Sequence, residues 1–297
     1  MLILDYSQIC HAAIYQFEDD LRDNTEDVLN LFRHSILSTI KFYKKKFKEY
    51  SSEIVIACDG GSYWRKEIFP HYKASRKKNR EDRNLPWDKI FTAIDQILID
   101  IVENFPYKVI KINKAEADDV MAVIIEEICN SRMIEIGLEI EPESVLMVSN
   151  DKDMSQLKKY SNVEQYSPFT QKFIKLEHSP KEFLRRLILT GDRDDGIPNI
   201  FSPEDSFVTK TRQKPATEKK MEPFLLTENM LDATDDEFIK NRIIMNTRLI
   251  SFAAIPKYVR EAIVNEYNTK ILGNKTKAYQ YLAKHKCKML LESIEDF

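Results

Sequence analysis

Val145-Leu146-Met147-Val148-Ser149-Asn150-Asp151-Lys152-Asp153 is an apolar, strand-like run that stops at two carboxylates. The figure recurs three times. Leu2-Ile3-Leu4 ends at Asp5, Ile54-Val55-Ile56-Ala57-Cys58 ends at Asp59, and Val109-Ile110-Lys111-Ile112 is soon followed by Glu116 and Asp118. Helical patterns separate these runs, and strand–helix alternation predicts a parallel α/β sheet with right-handed crossovers. The carboxyl ends of such strands lie along one edge, where ligands bind, so acids far apart in sequence converge there. Crowded carboxylates repel one another and protonate or separate unless a multivalent cation holds them. The pattern therefore predicts hard, oxygen-liganded metal ions and a magnesium-dependent site.

With 297 residues, 43% of them hydrophobic and 10% aromatic, the chain can bury a core as one large domain or two small ones. No apolar run approaches the roughly 18 residues of a membrane span, and the short apolar start ends at Asp5. We therefore expect no transmembrane helix, no signal peptide and a cytoplasmic location. Cys10, Cys58, Cys129 and Cys287 lack metal-ligand spacing and read as free thiols. The net charge is −3, from 45 Lys and Arg against 48 Asp and Glu, which argues against a simple DNA-coating protein. Setting aside nine candidate-site acids (Asp5, Asp59, Glu116, Asp118, Asp119, Asp151, Asp153, Asp192 and Asp195) leaves the remainder basic by six. An acidic pocket in a basic frame suits a polyanion bridged by metals.

Val28, Phe32, Ile36, Ile40, Tyr43 and Phe47 recur at helical spacing within Thr25 to Tyr50, acidic at its start and basic at its end. Ile90 to Val102 and Glu116 to Cys129 read as further helices, and Val163 to Tyr166 with Lys172 to Leu176 as two short strands that finish the sheet. After Pro180 the texture turns helical, beginning with Lys181 to Leu189. Residues 202–223, polar and basic, read as a mobile loop, and Asp236 to Phe297 as helices. The expected division is an α/β domain over 1–180 and a helical subdomain over 181–297.

Arg65, Lys66, Lys73, Arg76, Lys77, Lys78, Arg80 and Arg83 are interleaved with Tyr63, Trp64, Phe69, His71 and Tyr72. Cations neutralise phosphates and aromatics stack on unpaired bases, so the mixture suits single-stranded nucleic acid. A solvated surface helix would share the composition. The segment's place directly after Asp59 favours the first reading. A lone Asp at a strand end is commonly a helix cap. Two metals held for phosphoester hydrolysis need some six to eight carboxylate oxygens from several strands, and the chain offers that inventory. Asp119 could cap the helix or stand behind the ligands.

With these residues in place the chain resembles the 5′-nucleases of the flap endonuclease superfamily, in particular the branch holding the ribonuclease H of T-even-type bacteriophages. The resemblance runs through Ile3-Leu4-Asp5-Tyr6-Ser7, Cys58-Asp59, Phe69-Pro70-His71-Tyr72-Lys73-Ala74-Ser75-Arg76 and Glu116-Ala117-Asp118-Asp119. It continues through Ser149 to Leu157 and Gly191-Asp192-Arg193-Asp194-Asp195-Gly196-Ile197-Pro198, and extends to the last residues. It implies a PIN-like parallel sheet flanked by helices, a helical arch at about 64–86, and a C-terminal helical subdomain with a helix-turn-helix element, to which Lys181 to Ile200 would belong, that grips duplex. It implies a magnesium-dependent 5′-to-3′ exonuclease and flap endonuclease removing RNA primers and adjacent DNA in lagging-strand replication, by two-metal hydrolysis. Asp5, Asp59, Glu116, Asp118 and Asp151 would surround the first Mg2+, with Asp153, Asp192 and Asp195 nearer the second; Mn2+ could substitute. Lys73 and Arg76 would stabilise the pentacovalent transition state, Tyr72 would stack on the terminal base, and Arg65, Lys66, Lys77, Lys78 and Arg80 would contact nucleic acid. The family's potassium site lacks support, because Asn199 and Phe201 to Phe207 carry no paired glycines.

The implied substrates are branched or nicked DNA and RNA–DNA duplex with a 5′ end, met by a monomer in a host cytoplasm. An aspartate phosphotransferase would need Asp-x-Asp-x-Thr after the first strand, which is absent. A non-catalytic junction-binding protein on the same scaffold remains an alternative. The closing Leu290 to Phe297 reads either as a tether to a sliding clamp or single-strand-binding protein, or as the last turn of a core helix.

Overall fold

The computed structural model describes residues 1–22, 27–134 and 143–297, without the side chains of 77–79 and 131–134. The chain begins β1 (Leu2–Asp5), α1 (Tyr6–Gln16), α2 (Glu18–Arg22), α3 (Val28–Lys46) and β2 (Ile54–Cys58). It continues α4 (Trp64–Ile68), α5 (Ser75–Arg83), α6 (Trp87–Asn104), β3 (Lys108–Lys111), α7 (Ala117–Ile134) and β4 (Val145–Val148). A 3-10 segment, Lys152–Lys159, leads into β5 (Val163–Ser167), β6 (Lys172–Phe173) and α8 (Pro180–Thr190). Helices α9 (Glu218–Leu226), α10 (Glu237–Ile250), α11 (Lys257–Tyr267), α12 (Lys275–Lys284) and α13 (Lys288–Leu291) complete it.

The six strands lie in the order β3-β2-β1-β4-β5-β6. β1 to β5 are parallel and β6 is antiparallel to β5. Leu2 of β1 stands between Ile54 and Leu146, so the chain winds outward in both directions from the β1–β4 junction. A crevice opens at such a switch point. Side chains alternate with the two-residue period of a strand. Leu2, Leu4, Ile54, Ile56, Leu146 and Val148 face a core that includes α1, α3 and α6. Met1, Ile3, Val55, Ala57, Val145 and Met147 face a second core with α7.

Local chemistry fixes the element ends. Asp5 closes β1 and caps α1, accepting from the Gln8 amide at 3.1 Å. Ser179 and Pro180 open α8 as cap and first-turn proline. Asp27 caps α3 one turn later than the sequence pattern places its start; Thr25 and Glu26 lie outside the described residues.

One expectation changes. The segment 202–223 is not simply a loop: α9 begins at Glu218. The part before it is pinned, with Asn199 Nδ2 donating to Lys214 O at 2.8 Å and the Lys214 amide to Ser202 Oγ at 2.9 Å. Lys181 to Ile200 supplies α8 and the turn that follows it, and the pinned loop leads on to α9. The cores run across residue 180. Val259 and Ile263 of α11 fill one face of the sheet, while Ala278 and Leu282 of α12, with Phe297, fill the other. Phe297 is 4% exposed against Phe105, with ring centroids 5.3 Å apart, so the tail is core and not a free clamp-binding tether. No helix among the described residues is long and apolar enough to cross a membrane.

Candidate active site

Four parallel strands deliver the acids to one edge. Asp5 ends β1, Asp59 follows β2, Glu116 and Asp118 enter α7 after β3, and Asp151 and Asp153 follow β4. Asp192 and Asp195 arrive from the turn after α8, which is folded back by the reciprocal amide–carbonyl pair of Asp192 and Ile197 at 2.7 and 2.8 Å. Gly191 makes that reversal at φ +69°, where an added Cβ would lie 2.2 Å from Ile197 O.

The acids divide into two groups by partner. Asp5, Asp59, Asp118, Asp151 and Asp153 make no ion pair among the described residues. Glu116, Asp192 and Asp195 do. Burial, then Asp59, then Asp151 push the Asp5 carboxyl up to about 7. Burial followed by repulsion from Asp151 and Asp5 raises Asp118 well above the carboxylate range. Asp153 is raised by burial, then by Asp151, Asp192 and Asp195. Asp151 thus acts on both Asp5 with Asp118 and Asp153.

Oxygen-only, mostly anionic donors suit a hard dication. Asp153 Oδ1 is buried with no hydrogen-bond partner, an orphan whose desolvation a cation would offset. These residues fit divalent metal. No three His, Cys, Asp or Glu side chains among the described residues are gathered into a finished cage.

The basic segment forms the rim as α4, a turn and α5. Lys73 sits in the turn at φ 54°, 8% exposed, with Nζ hydrogen-bonded to Glu116 Oε1 and 3.4 Å from Asp195 Oδ1. Burial opposes its charge, but Glu116 and Asp195 outweigh burial and raise its proton affinity. Lys73 and Arg65 likewise hold Glu116 below its usual range against burial. Arg76, half-exposed, reaches Asp195 Oδ1 at 3.2 Å. At the far end of α5, Arg83 pairs with Glu18 at 2.5 Å and lies over the Tyr15 ring.

Two nucleic-acid assignments are corrected. Arg65 is 3% exposed, bonded to Leu249 O, Glu116 and Asp119 at 2.7 to 2.9 Å, and cannot reach a phosphate from there. Tyr72 is 2% exposed and its hydroxyl donates toward Glu116 Oε2 and Asp195 Oδ2 at 2.9 and 2.8 Å, so its ring is not offered to a terminal base. Lys66 and Arg80 are exposed. Lys77 and Lys78 lie on α5, with side chains outside the described residues. Asp119 is fully buried and supports Glu116 through that residue's amide at 3.1 Å.

Sequence reasoning gave no role to four polar residues of this edge. Ser7 Oγ donates to Asp59 Oδ2 at 2.6 Å, while the Ala117 amide donates to Asp59 Oδ1 at 2.9 Å. Gln8 bridges Ser149 Oγ and the Asn150 amide, both at 2.7 Å. Gln165 Nε2 holds the carbonyls of Ser149 and Asp151 at 3.0 and 2.7 Å. Lys152 neutralises Asp192 at 3.0 Å. A polar residue within three positions of a strand-end acid is the signal that could have found Ser7, Gln8 and Lys152; Gln165 required the strand pairing.

Acids gathered at one sheet edge beside a basic helical segment accord with the family resemblance. Residues 1–187 match the 5′-3′ exonuclease N-terminal resolvase-like domain and residues 178–297 the C-terminal domain of T4 RNase H, and the chain belongs to this 5′-3′ exonuclease family. It is 31% identical to the Ribonuclease H of Enterobacteria phage T4 over 99% of this chain and 95% of that one. It is 29% identical to the 5′-3′ exonuclease of Buchnera aphidicola subsp. Schizaphis graminum over 67% and 65%. The T5 5′-exonuclease solved with divalent zinc shares the fold, with a TM-score of 0.63 and 17% identity over 90% of this chain and 97% of that one. A bacteriophage T5 flap endonuclease in complex with DNA and metal ions gives 0.62 at 17% identity, over 90% and 99%.

Proposed function

We propose that this chain is a magnesium-dependent 5′-to-3′ exonuclease and flap endonuclease that removes RNA primers and adjoining DNA during lagging-strand replication. The carrying observation is the group of five buried or partly buried acids that make no ion pair among the described residues, with Lys73 and Arg76 beside them. Phosphodiester hydrolysis needs that division: anionic ligands for cations, and cations aimed at a phosphate. Support comes from the relatives, named as ribonuclease H and 5′-3′ exonuclease, and from structural neighbours carrying zinc or DNA with metal ions.

In this reading Asp5, Asp59, Asp118 and Asp151 hold one Mg2+, while Asp151, Asp153 and Asp192 hold the other; Mn2+ can replace either. Two such ions, when bound, activate water and stabilise the leaving oxygen. Ser7 and the Ala117 amide orient Asp59, and Gln165 fixes the backbone of Asp151. Glu116 and Asp195, instead of ligating directly, hold Lys73 and Arg76 at the rim. On substrate entry those two cations exchange part of this pairing for the scissile phosphate and stabilise charge developing on it. Exposed Lys66 and Arg80 guide the 5′ strand, and α8 to α10 with the turn at Gly191 hold duplex.

A 5′-labelled flap and an RNA-primed nicked duplex, incubated with Mg2+ or with chelator and sized on a gel, test the proposal. Metal-dependent release of short 5′ products from both substrates is expected. Binding without cleavage in Mg2+ and Mn2+ would replace it with a junction-binding role.

A further inference from the structure

Arg65 has a cation's sequence signature but none of a surface cation's freedom. Its Nε donates to Leu249 O at 2.7 Å, Nη2 to Asp119 Oδ1 at 2.8 Å, and Nη1 to Asp119 Oδ2 at 2.9 Å and Glu116 Oε2 at 2.7 Å. The guanidinium lies over the Trp64 ring, 4.5 Å from its centroid, and Trp64 Nε1 donates to the same Asp119 Oδ2 at 3.0 Å. Asp119 Oδ2 also accepts the Glu116 amide at 3.1 Å. Glu116 is therefore held twice by one buried pair, through its backbone and its carboxylate. Its remaining oxygen, Oε1, receives Lys73 Nζ.

We infer that Arg65, locked by Asp119, is a positioning residue that fixes Glu116 and, through Glu116, aims Lys73 at the site. The inference rests on the nuclease reading above. A folding staple is the simpler role, and a bidentate Arg–Asp pair alone would serve it. Buried ion pairs commonly add little net stability over apolar replacements, which makes stability a weak reason for donors aimed at a third group. The planar fork matters here: an ammonium carries the charge but cannot span Asp119, Glu116 and Leu249 O together. The Leu249 contact also sets the fork against the end of α10, so the guanidinium has no second orientation that keeps its bonds.

The test is a double-mutant cycle in the full chain. Arg65→Lys and Asp119→Asn are each made alone and with Lys73→Ala, then assayed on the 5′-labelled flap by single-turnover rate at saturating enzyme. Affinity is measured in chelator and thermal melting confirms folding. We expect Arg65→Lys to slow the saturated rate about tenfold or more with affinity changed by less than about threefold. In the Lys73→Ala background the same change should cost less than about threefold, because groups acting in series are not additive. Undiminished, multiplicative losses would show that Arg65 does not act through Lys73 and overturn the inference. A loss confined to affinity would make it a substrate contact instead. If Arg65→Lys melts below the assay temperature, Asp119→Asn, which keeps the oxygen acceptor, carries the same comparison. Failure of the wild-type chain to cleave would strike the nuclease reading, whereas wild-type cleavage with an additive cycle strikes only the role of Arg65.

Discussion

Replacing Asp5 with Asn isolates the charge strain at the switch point. Asn keeps the volume and caps helices as well as Asp does, so the Gln8 amide retains its acceptor. Only the charge is lost. Asp5 is 5% exposed, and burial together with Asp59 and Asp151 pushes its carboxyl up to about 7. From an ordinary value of about 4, that is roughly three decades of proton affinity at about 1.4 kcal/mol each, or ~4 kcal/mol for ionising Asp5 in the metal-free fold. Neighbours can share a proton and relieve part of this, so the gain expected from Asp5→Asn is ~2–4 kcal/mol. The direction with pH follows from linkage. A carboxyl that binds its proton more tightly when folded loses stability as pH rises from about 4 to about 7, and by a constant amount above. The variant should therefore melt higher than wild type in chelator at pH 8, by roughly 4–8 °C at about 2 °C per kcal/mol, and no higher near pH 4. Saturating Mg2+ should close the gap by stabilising the wild type more. Thermal melts at the two pH values, with chelator and with Mg2+, measure all four corners. A variant that melts lower at pH 8 in chelator, or gains equally at both pH values, would refute the charge-strain account of this edge.

Asp118→Asn or Asp151→Asn should abolish cleavage while leaving flap affinity in chelator nearly unchanged; a wild-type rate in limiting Mg2+ would remove these acids from the metal site. Lys73→Ala and Arg76→Ala should each lower the single-turnover rate on the order of a hundredfold, the usual loss for one preorganised donor. If raising enzyme concentration restores that rate, both are phosphate-binding residues only. Deleting Ile294 to Phe297 should cost about 3 kcal/mol or more, because Phe297 fills the core beside Phe105. Unchanged melting would return the tail to solvent and reopen its use as a tether.

The strands and their acids were legible because strands of a parallel sheet, buried on both faces, are written as short apolar runs. Topology then carries their ends to one edge without further instruction. Which acid meets which base was not legible. Arg65 and Lys66 are adjacent and chemically alike, yet one is buried and the other exposed, since the turn of α4 decides which faces Asp119, 54 positions away. A clue lay in α7. Its first half, from Val120 to Ile125, is buried all round, and a helix without a wet face cannot hold Asp119 without a paired cation. The pinned loop before α9 was missed for a related reason. Its order comes from single hydrogen bonds of Asn199 and Ser202, which leave no periodic trace in sequence.

The pairing also explains how Lys73 and Arg76 can stand beside so many carboxylates without quenching the metal site. If every acid had a basic partner, bound cations would gain little, because the carboxylates would already be neutralised. If none had, the rim would be a uniformly negative mouth that repels phosphate. The structure separates the two requirements in space. Glu116 and Asp195 take up Lys73, Arg76 and Arg65, while Asp5, Asp118 and Asp153 make no ion pair among the described residues; burial raises Asp195 as well as these three, so pairing and not proton affinity divides the groups. In the proposed nuclease reading the inner group is the place where a dication would gain most, and the rim cations would exchange one carboxylate for one phosphate. That exchange substitutes one anionic oxygen partner for another, so the lysine need never be stripped of a counter-charge as substrate enters.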